Sequence, residues 1–429
     1  MKLALLLVVS FCFAAIVAIG AGEEFQIWTN QSGQTMEARF VSLEGNVITF
    51  ENKRGQKFQY AAGDLNLDGQ SLVAKLARET KYRNLPPFVR LRCLPAAREQ
   101  AIAEGGGAAE SEAAVLKGLT WLAAQQDPAS GSFGKEFTAG MTGLSLLAFL
   151  GHCETPDSPQ WGNTVVNAAL HLMELSKQED GLIFNGEKGA HASYEHAIAT
   201  YALAELYSMT RDSGKAIPDL EKVLEEAVDI IADGQTKLGG WEYGYRDSGR
   251  SDMSLSGWQL QALRAARHCG GDYAKLDRKL DKSMEYMKQV QDDKGAFKYT
   301  PSQTQGKPSL TGAALYNFYM WGEKSSPEYA LGIAYLADVY SNPSPGTNFY
   351  SPYYNTLAFF AHGGAEWQSY QDKFMAELID AQNEDGSFLS ETASGQAAED
   401  NQLMNTTWAI MMMEIYYRYP RTPDSESLK

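Results

Sequence analysis

The sequence predicts a mainly α-helical protein, six repeated helix pairs behind a small antiparallel β-domain. Three observations carry this. Between Phe25 and about Leu76 the apolar period is two, in "TMEARFVSL", "NVITFEN" and "QKFQYAA", with turns at Ser32-Gly33, Glu44-Gly45-Asn46 and Arg54-Gly55. Beyond Ser111 the period becomes helical. There an outer helix ending in Gln, a Gly-aromatic turn and a second helix opening on small or polar residues recur. Their anchors are Gln125, Gln178, Gln235, Gln291 and Gln382, at gaps of 53, 57, 56 and 91 residues. The last gap holds an extra pair, "YALGIAYLADVYSN" and "SPYYNTLAFFAHGG", with its turn degraded. Such pairs stack as an open solenoid or close into a ring, and six is a number that closes.

Each element has its own justification. "MKLALLLVVSFCFAAIVAIGAGEE" gives one Lys, an apolar run from Leu3 to Ile19, small residues and then acid, the layout of a signal peptide over residues 1–21. An uncleaved anchor is the rival reading, so the expected location is exported: periplasmic, secreted or N-terminally anchored. The β-domain occupies 24–78. From 79 to 111, "PPF" and "AEGGGAAESEA" read as a linker. The helical repeats fill 112–420, and 421–429 form a tail. In each repeat turn the Gln amide is expected to bond its own helix's last carbonyls while Gly turns left-handed and the aromatic packs back.

The net charge of −16 argues against nucleic acid and anionic lipid as partners. Beyond the signal segment stand Cys93, Cys153 and Cys269, an odd number at no metal-ligand spacing, so disulfides are not expected to define the fold. No cofactor and no metal are expected.

Two resemblances extend this reading. The run from Ile27 to Val73 resembles the Sla1 homology domain 1 at Trp28, Thr29, Gly33, Ala38, Phe40, Val47, Phe50, Gly55, Leu65 and, with a shorter gap, Asp68. That resemblance implies an SH3-like barrel and a protein or peptide partner. The repeats resemble the QW-type repeats of squalene cyclases and protein prenyltransferases, the first keeping Lys117, Gly118, Trp121, Leu122, Gln125, Gly131 and Phe133. This second resemblance implies an (α/α)6 toroid with a cavity at one end.

In such a ring the first turns of the inner helices, and the loops before them, line the cavity. They supply His191, Tyr194, Glu195, His196, Trp241, Tyr243, Tyr245, Asp252, Ser254 and Trp258, then Tyr299, Ser309, Thr311, Tyr350, Tyr353, Tyr354, Asn405 and Trp408. Aromatics with a few polar groups suit an apolar or glycan ligand. They also suit a packed helical ring. In "SDMSLSGWQLQALRAA" the Asp-x-Asp-Asp acid motif of the cyclases falls on Asp252, Ser254 and Leu255, so the proton donor is replaced by a hydroxyl. The Asp-x-Cys zinc element of prenyltransferases is missing, because Leu91, Gly151 and Arg267 stand two before the cysteines. "HASYEHAIATY" places His191 and Glu195 on one helical face, with Tyr194 and His196 on adjoining ones. The structural reading of that stretch is a capped helix whose His bonds its own loop.

The sequence therefore favours an exported, non-catalytic binding or adaptor protein, a β-module joined to a degenerate cyclase-like toroid. The alternative is an enzyme acting in the cavity on an isoprenoid or a polysaccharide. A different buried carboxylic acid at the spot where that proton donor would stand, kept neutral and facing the cavity, would overturn the first reading.

Overall fold

A computed structural model describes residues 24–83, 85, 87–186, 191–211, 216–270, 275–341, 343–346, 348–388 and 398–419. The signal segment and the tail lie outside them. The chain forms two compact units, divided between Asn84 and Leu85.

In the first unit, strands β1 (Gln26–Thr29), β2 (Thr35–Glu44), β3 (Val47–Glu51) and β4 (Lys57–Ala61) form an antiparallel sheet in sequence order. A register irregularity between Phe40 and Ser42 bends β2. Trp28, Phe40, Ile48 and Phe50 bury the inner face, and Trp28 Nε1 donates to the Ala38 carbonyl at 2.9 Å. The period-two reading runs too far. Residues 67–81 are helix α1 (Leu67–Lys81), capped by the Asn66 side chain on the Gly69 N–H, and Val73 and Leu76 complete the core at helical spacing.

The second unit begins with a correction. Residues 79–111 do not form a linker: α2 (Pro87–Cys93) and α3 (Pro95–Gly105) fold onto the helical unit. The glycine run is a close approach, since a Cβ at Gly105 or Gly107 would strike the Tyr416 ring, and Trp367 Nε1 donates to the Gly105 carbonyl at 3.0 Å. Cys93 and Cys153 form a disulfide with Cα atoms 5.1 Å apart. Sequence spacing gave no sign of it, because the pairing exists only once α2 has returned across 60 residues.

The six pairs are α4 (Glu110–Ala124) with α5 (Thr138–Gly151), α6 (Gly162–Gln178) with α7 (Ala192–Thr210), and α8 (Leu220–Asp233) with α9 (Met253–His268). They continue as α10 (Lys275–Gln289) with α11 (Pro308–Met320), α12 (Pro327–Val339) with α13 (Tyr350–His362), and α14 (Gly364–Asp380) with α15 (Ala398–Met413). The short α16 (Ile415–Arg418) follows. Outer helices bury one stripe, as α8 does with Leu220, Val223, Leu224, Ala227, Val228 and Ile231. The inner α5 is buried along its whole length. Each inner helix packs on the next, and α15 returns onto α5 and α4. The ring is closed, an (α/α)6 toroid preceded by a small β unit.

The repeat turn works differently from the expectation. The Gln amide bonds the carbonyl of its own turn glycine and a carbonyl of the next outer helix: Gln235 to Gly239 and Lys279, Gln291 to Gly295 and Glu328, Gln382 to Gly386 and Ala114. In the first repeat Gln126, not Gln125, takes this role, on Gly131 and Thr164. Gln178 bonds Glu174 instead. A Cβ on Gly131, Gly239, Gly295 or Gly386 would lie under 3.0 Å from a backbone oxygen of that next helix. The turn is thus the joint between repeats. Its aromatic is held by a hydroxyl: the N–H groups of Phe133, Trp241, Phe297 and Phe388 donate to Thr142, Ser256, Thr311 and Thr406 at 2.9–3.0 Å.

Candidate functional site

A cavity of about 590 Å3 opens among the first turns of the inner helices. Of the sequence candidates, His191, Tyr194, Glu195, Tyr243, Ser254, Trp258, Tyr299, Tyr350 and Trp408 line it. Trp258 and Trp408 pack at 5.7 Å, and Tyr194 and Tyr243 at 5.9 Å between ring centres. Phe137, Gly140, Met141, Leu144, Ile198 and Met404 complete the wall. Sequence reasoning passed over these six. Phe137 and Met141 stand in the first repeat at the offsets of His191 and Glu195 in the second, a correspondence that would have found two of them.

The other candidates do not line the cavity. His196 is fully buried and structural: its Nδ1 accepts the Ile183 N–H at 2.9 Å and its Nε2 donates to the Ala227 carbonyl at 3.0 Å. It fills the position that Thr142, Ser256, Thr311 and Thr406 hold elsewhere, and burial pushes its pKa down to about 4. Trp241 is a turn aromatic whose Nε1 donates to Ile231 at 2.7 Å. Asp252 is the N-cap of α9, its Oδ1 accepting from the Ser254 N–H at 3.0 Å and the Ser254 hydroxyl at 2.6 Å. Tyr353 and Tyr354 pack behind Trp408 and Trp258, at 4.4 and 5.8 Å. Asn405 accepts the Phe349 N–H at 3.3 Å. Replacing His196 with Ala is accordingly expected to lower stability by about 3 kcal/mol, because the Ile183 N–H and Ala227 carbonyl lose a partner, while ligand binding in the cavity is retained. Urea unfolding alongside a binding titration checks both.

Glu195 is the chemically distinct member of the wall. It is only 3% exposed, and it stands where three other inner helices present Met141, Leu255 and Leu310. Its Oε2 accepts the Ala139 and Gly140 N–H groups of α5 at 3.1 and 3.3 Å, in place of an N-cap side chain that Phe137 does not supply. Burial pushes its carboxyl up to about 7 against the pull of those N–H groups. A carboxyl so placed is part acid and part base at neutral pH. Glu195 is also the only carboxyl group on the cavity wall among the described residues. Beside it, Tyr194 Oη lies 2.6 Å from Ser254 Oγ, so the wall hydroxyl connects through Ser254 to the buried Asp252. The described residues contain no cluster of three or more His, Cys, Asp or Glu side chains able to hold a metal ion.

No protein-family model and no curated protein matches the chain. Among solved structures, an inactive α-1,6-mannanase variant of Salegentibacter sp. bound to α-1,6-mannotetrose is similar, at 10% identity and TM-score 0.51, over 72% of this chain and 99% of that one. A type II terpene cyclase from Scytonema matches at 12% identity and TM-score 0.45, over 76% and 99%. A family 88 glycosyl hydrolase from Bacteroides vulgatus matches at 12% and 0.36, over 72% and 90%. At these identities the likeness that reaches a TM-score above 0.5 speaks for the fold: a closed ring of helix pairs, the architecture built above from the sequence repeats and their joints.

Proposed function

We propose that the helical unit is an acid–base enzyme whose cavity takes an uncharged, predominantly apolar ligand, with Glu195 exchanging the proton. The observation that carries this reading is the Glu195 carboxyl, buried, held near neutrality and open to an aromatic chamber. It stands on α7 and not at the α9 position of the cyclase motif, and it favours the enzymatic alternative over the binding one. Hydrolysis of a glycosidic bond uses two carboxyl groups, and this wall offers one. A carboxyl near pH 7 is a weak donor to an isolated alkene but is matched to a carbonyl or hydroxyl function, or to a C–H beside a carbonyl. The ligand is therefore an apolar molecule carrying an oxygen function, in the isoprenoid rather than the polysaccharide class. For the β unit we propose docking of a protein or peptide, supported by the edge strand β1 with its outward Ile27, 72% exposed. Export, guided by residues 1–21, belongs to the same proposal.

The test uses deuterium. Isoprenoid aldehydes and ketones incubated with the protein in heavy water should gain deuterium at the carbon beside the carbonyl, read by mass spectrometry, at a rate following one group of apparent pKa about 7. Glu195→Gln should slow exchange by about 10²–10⁴-fold while Trp258 and Trp408 fluorescence still reports binding. Equal exchange by the variant, or none by the native chain across the panel, overturns the reading. Stability gives an independent check of the carboxyl's state. Because the folded pKa lies above the unfolded value near 4.5, the unfolded chain ionises first as pH rises. Glu195→Gln should thus gain stability relative to the native protein between pH 4.5 and about 7, by at most about 3 kcal/mol, in urea unfolding across that range.

A further inference from the structure

A second cavity, of about 50 Å3, lies among the last turns of the inner helices, closed by Arg92 of α2 and Arg418 of α16. Its wall holds three guanidinium groups, Arg92, Arg264 and Arg418, and one carboxylate, Glu205, so its charge at neutral pH is 3 − 1 = +2. Glu414, which touches Arg418 at 3.3 Å, adds little, since burial pushes it up to about 8. Glu205 is already shared: Arg92 Nη1 reaches it at 2.9 Å and Arg418 Nη2 at 3.3 Å. Among the described residues, three nitrogens of these wall side chains nevertheless find no hydrogen-bond partner: Arg92 Nε, on a side chain 3% exposed, Arg264 Nε and His268 Nε2. Buried donors of this kind are ordinarily satisfied. Burial, with Arg264 and Arg267 beside it, pushes His268 down to about 4, so the imidazole is neutral here.

We propose that this cavity binds a small oxyanion, one carboxylate or phosphate group, between Arg264, Arg92 and His268, with the Ser208 hydroxyl on the same wall. An anion there neutralises the surplus charge and accepts from the orphaned N–H groups, and the planar guanidinium fork matches its oxygens. The site is separate from the Glu195 cavity, at the opposite ends of the inner helices, and does not rest on the function proposed for it. Binding ties α2 to the ends of α7 and α9, so the ligand stabilises the folded ring by mass action.

Thermal unfolding of the full chain in millimolar sodium acetate or sodium phosphate, at constant ionic strength, tests this. A saturable rise of about 2–4 °C with either anion is expected, the tighter of the two naming the class. Arg264→Gln should abolish the rise while leaving the anion-free midpoint nearly unchanged, since Arg264 is partly exposed. His268→Gln should weaken it several-fold, and in the native chain the His268 imidazole signal should titrate at higher pH once the anion is bound. No rise with either anion, or an equal rise in both variants, overturns the proposal.

Discussion

Replacing Arg418 with methionine is expected to destabilise the helical unit by about 3–5 kcal/mol, the cost of leaving a buried ion-pair network without its central cation. The guanidinium is fully buried. Its Nη2 bonds both Glu205 oxygens at 3.3 Å, its Nη1 bonds Glu414 at 3.3 Å and the Leu147 carbonyl, and its Nε bonds Tyr419 Oη at 3.0 Å. Glu414 leaves little stranded charge when the cation goes, because burial already pushes it up to about 8 and keeps it mostly protonated at neutral pH. Glu205 cannot do so as readily: Arg418 and Arg92 hold its pKa below the ordinary carboxylate value despite burial, and Arg92 remains. The loss therefore falls on one half-compensated carboxylate and one inner-helix carbonyl. A triple variant, Arg418→Met and Arg92→Met with Glu205→Leu, should recover much of the loss, since matched apolar replacement of a whole buried ion-pair cluster is often neutral. Urea unfolding of the three chains decides it. An effect under about 1 kcal/mol for Arg418→Met would mean that water reaches the cluster.

Gly386→Ala is the second large effect, expected at more than about 3 kcal/mol. Gly386 has φ of 98°, where an L-residue is strained, and its Cβ would meet the Lys117 carbonyl of α4, backbone that cannot swing aside. Four residues earlier Gln382 bonds Ala114 on the same helix at 2.9 Å, so the substitution strikes the joint between the last repeat and the first. Gly322→Ala is the control. It shares a positive φ, 81°, but has nothing within 4 Å of the added methyl, and should cost only about 1–2 kcal/mol. Denaturation midpoints for the pair separate backbone strain from the inter-repeat clash.

The helix pairs were legible because their joints repeat in sequence: a Gln followed by a glycine and an apolar residue two beyond it, with the glycine four residues on at Gln235, Gln291 and Gln382 and five on at Gln126. What the joint touches was not, since Thr164, Lys279, Glu328 and Ala114 each belong to the neighbouring repeat. The same blindness to distant contacts turned residues 79–111 into a linker. Glycine and alanine mark flexible chain or close packing equally well, and only Tyr416, more than 300 residues on, decides between them. At the cavity, residue types and offsets found most of the aromatic wall. They could not rank the titratable groups of "HASYEHAIATY". His196 drew attention as a histidine, although it holds its turn's N–H as Thr142, Ser256, Thr311 and Thr406 hold theirs; these partners stand between 9 and 18 residues from the turn, so no fixed offset marked the role. The state of Glu195 depends on how closely α5 approaches α7, and no periodicity encodes that.

Closure of the ring has a consequence for synthesis. The first repeat finds its final neighbour only when α14 and α15 have been made, because Gln382, Gly386 and α15 are what cover α4 and α5. A chain leaving the ribosome therefore carries an unfinished arc, greasy along both open flanks, for most of its translation. Stop codons anywhere before residue 398 should yield not a smaller working protein but a sticky fragment for chaperones and proteases to clear.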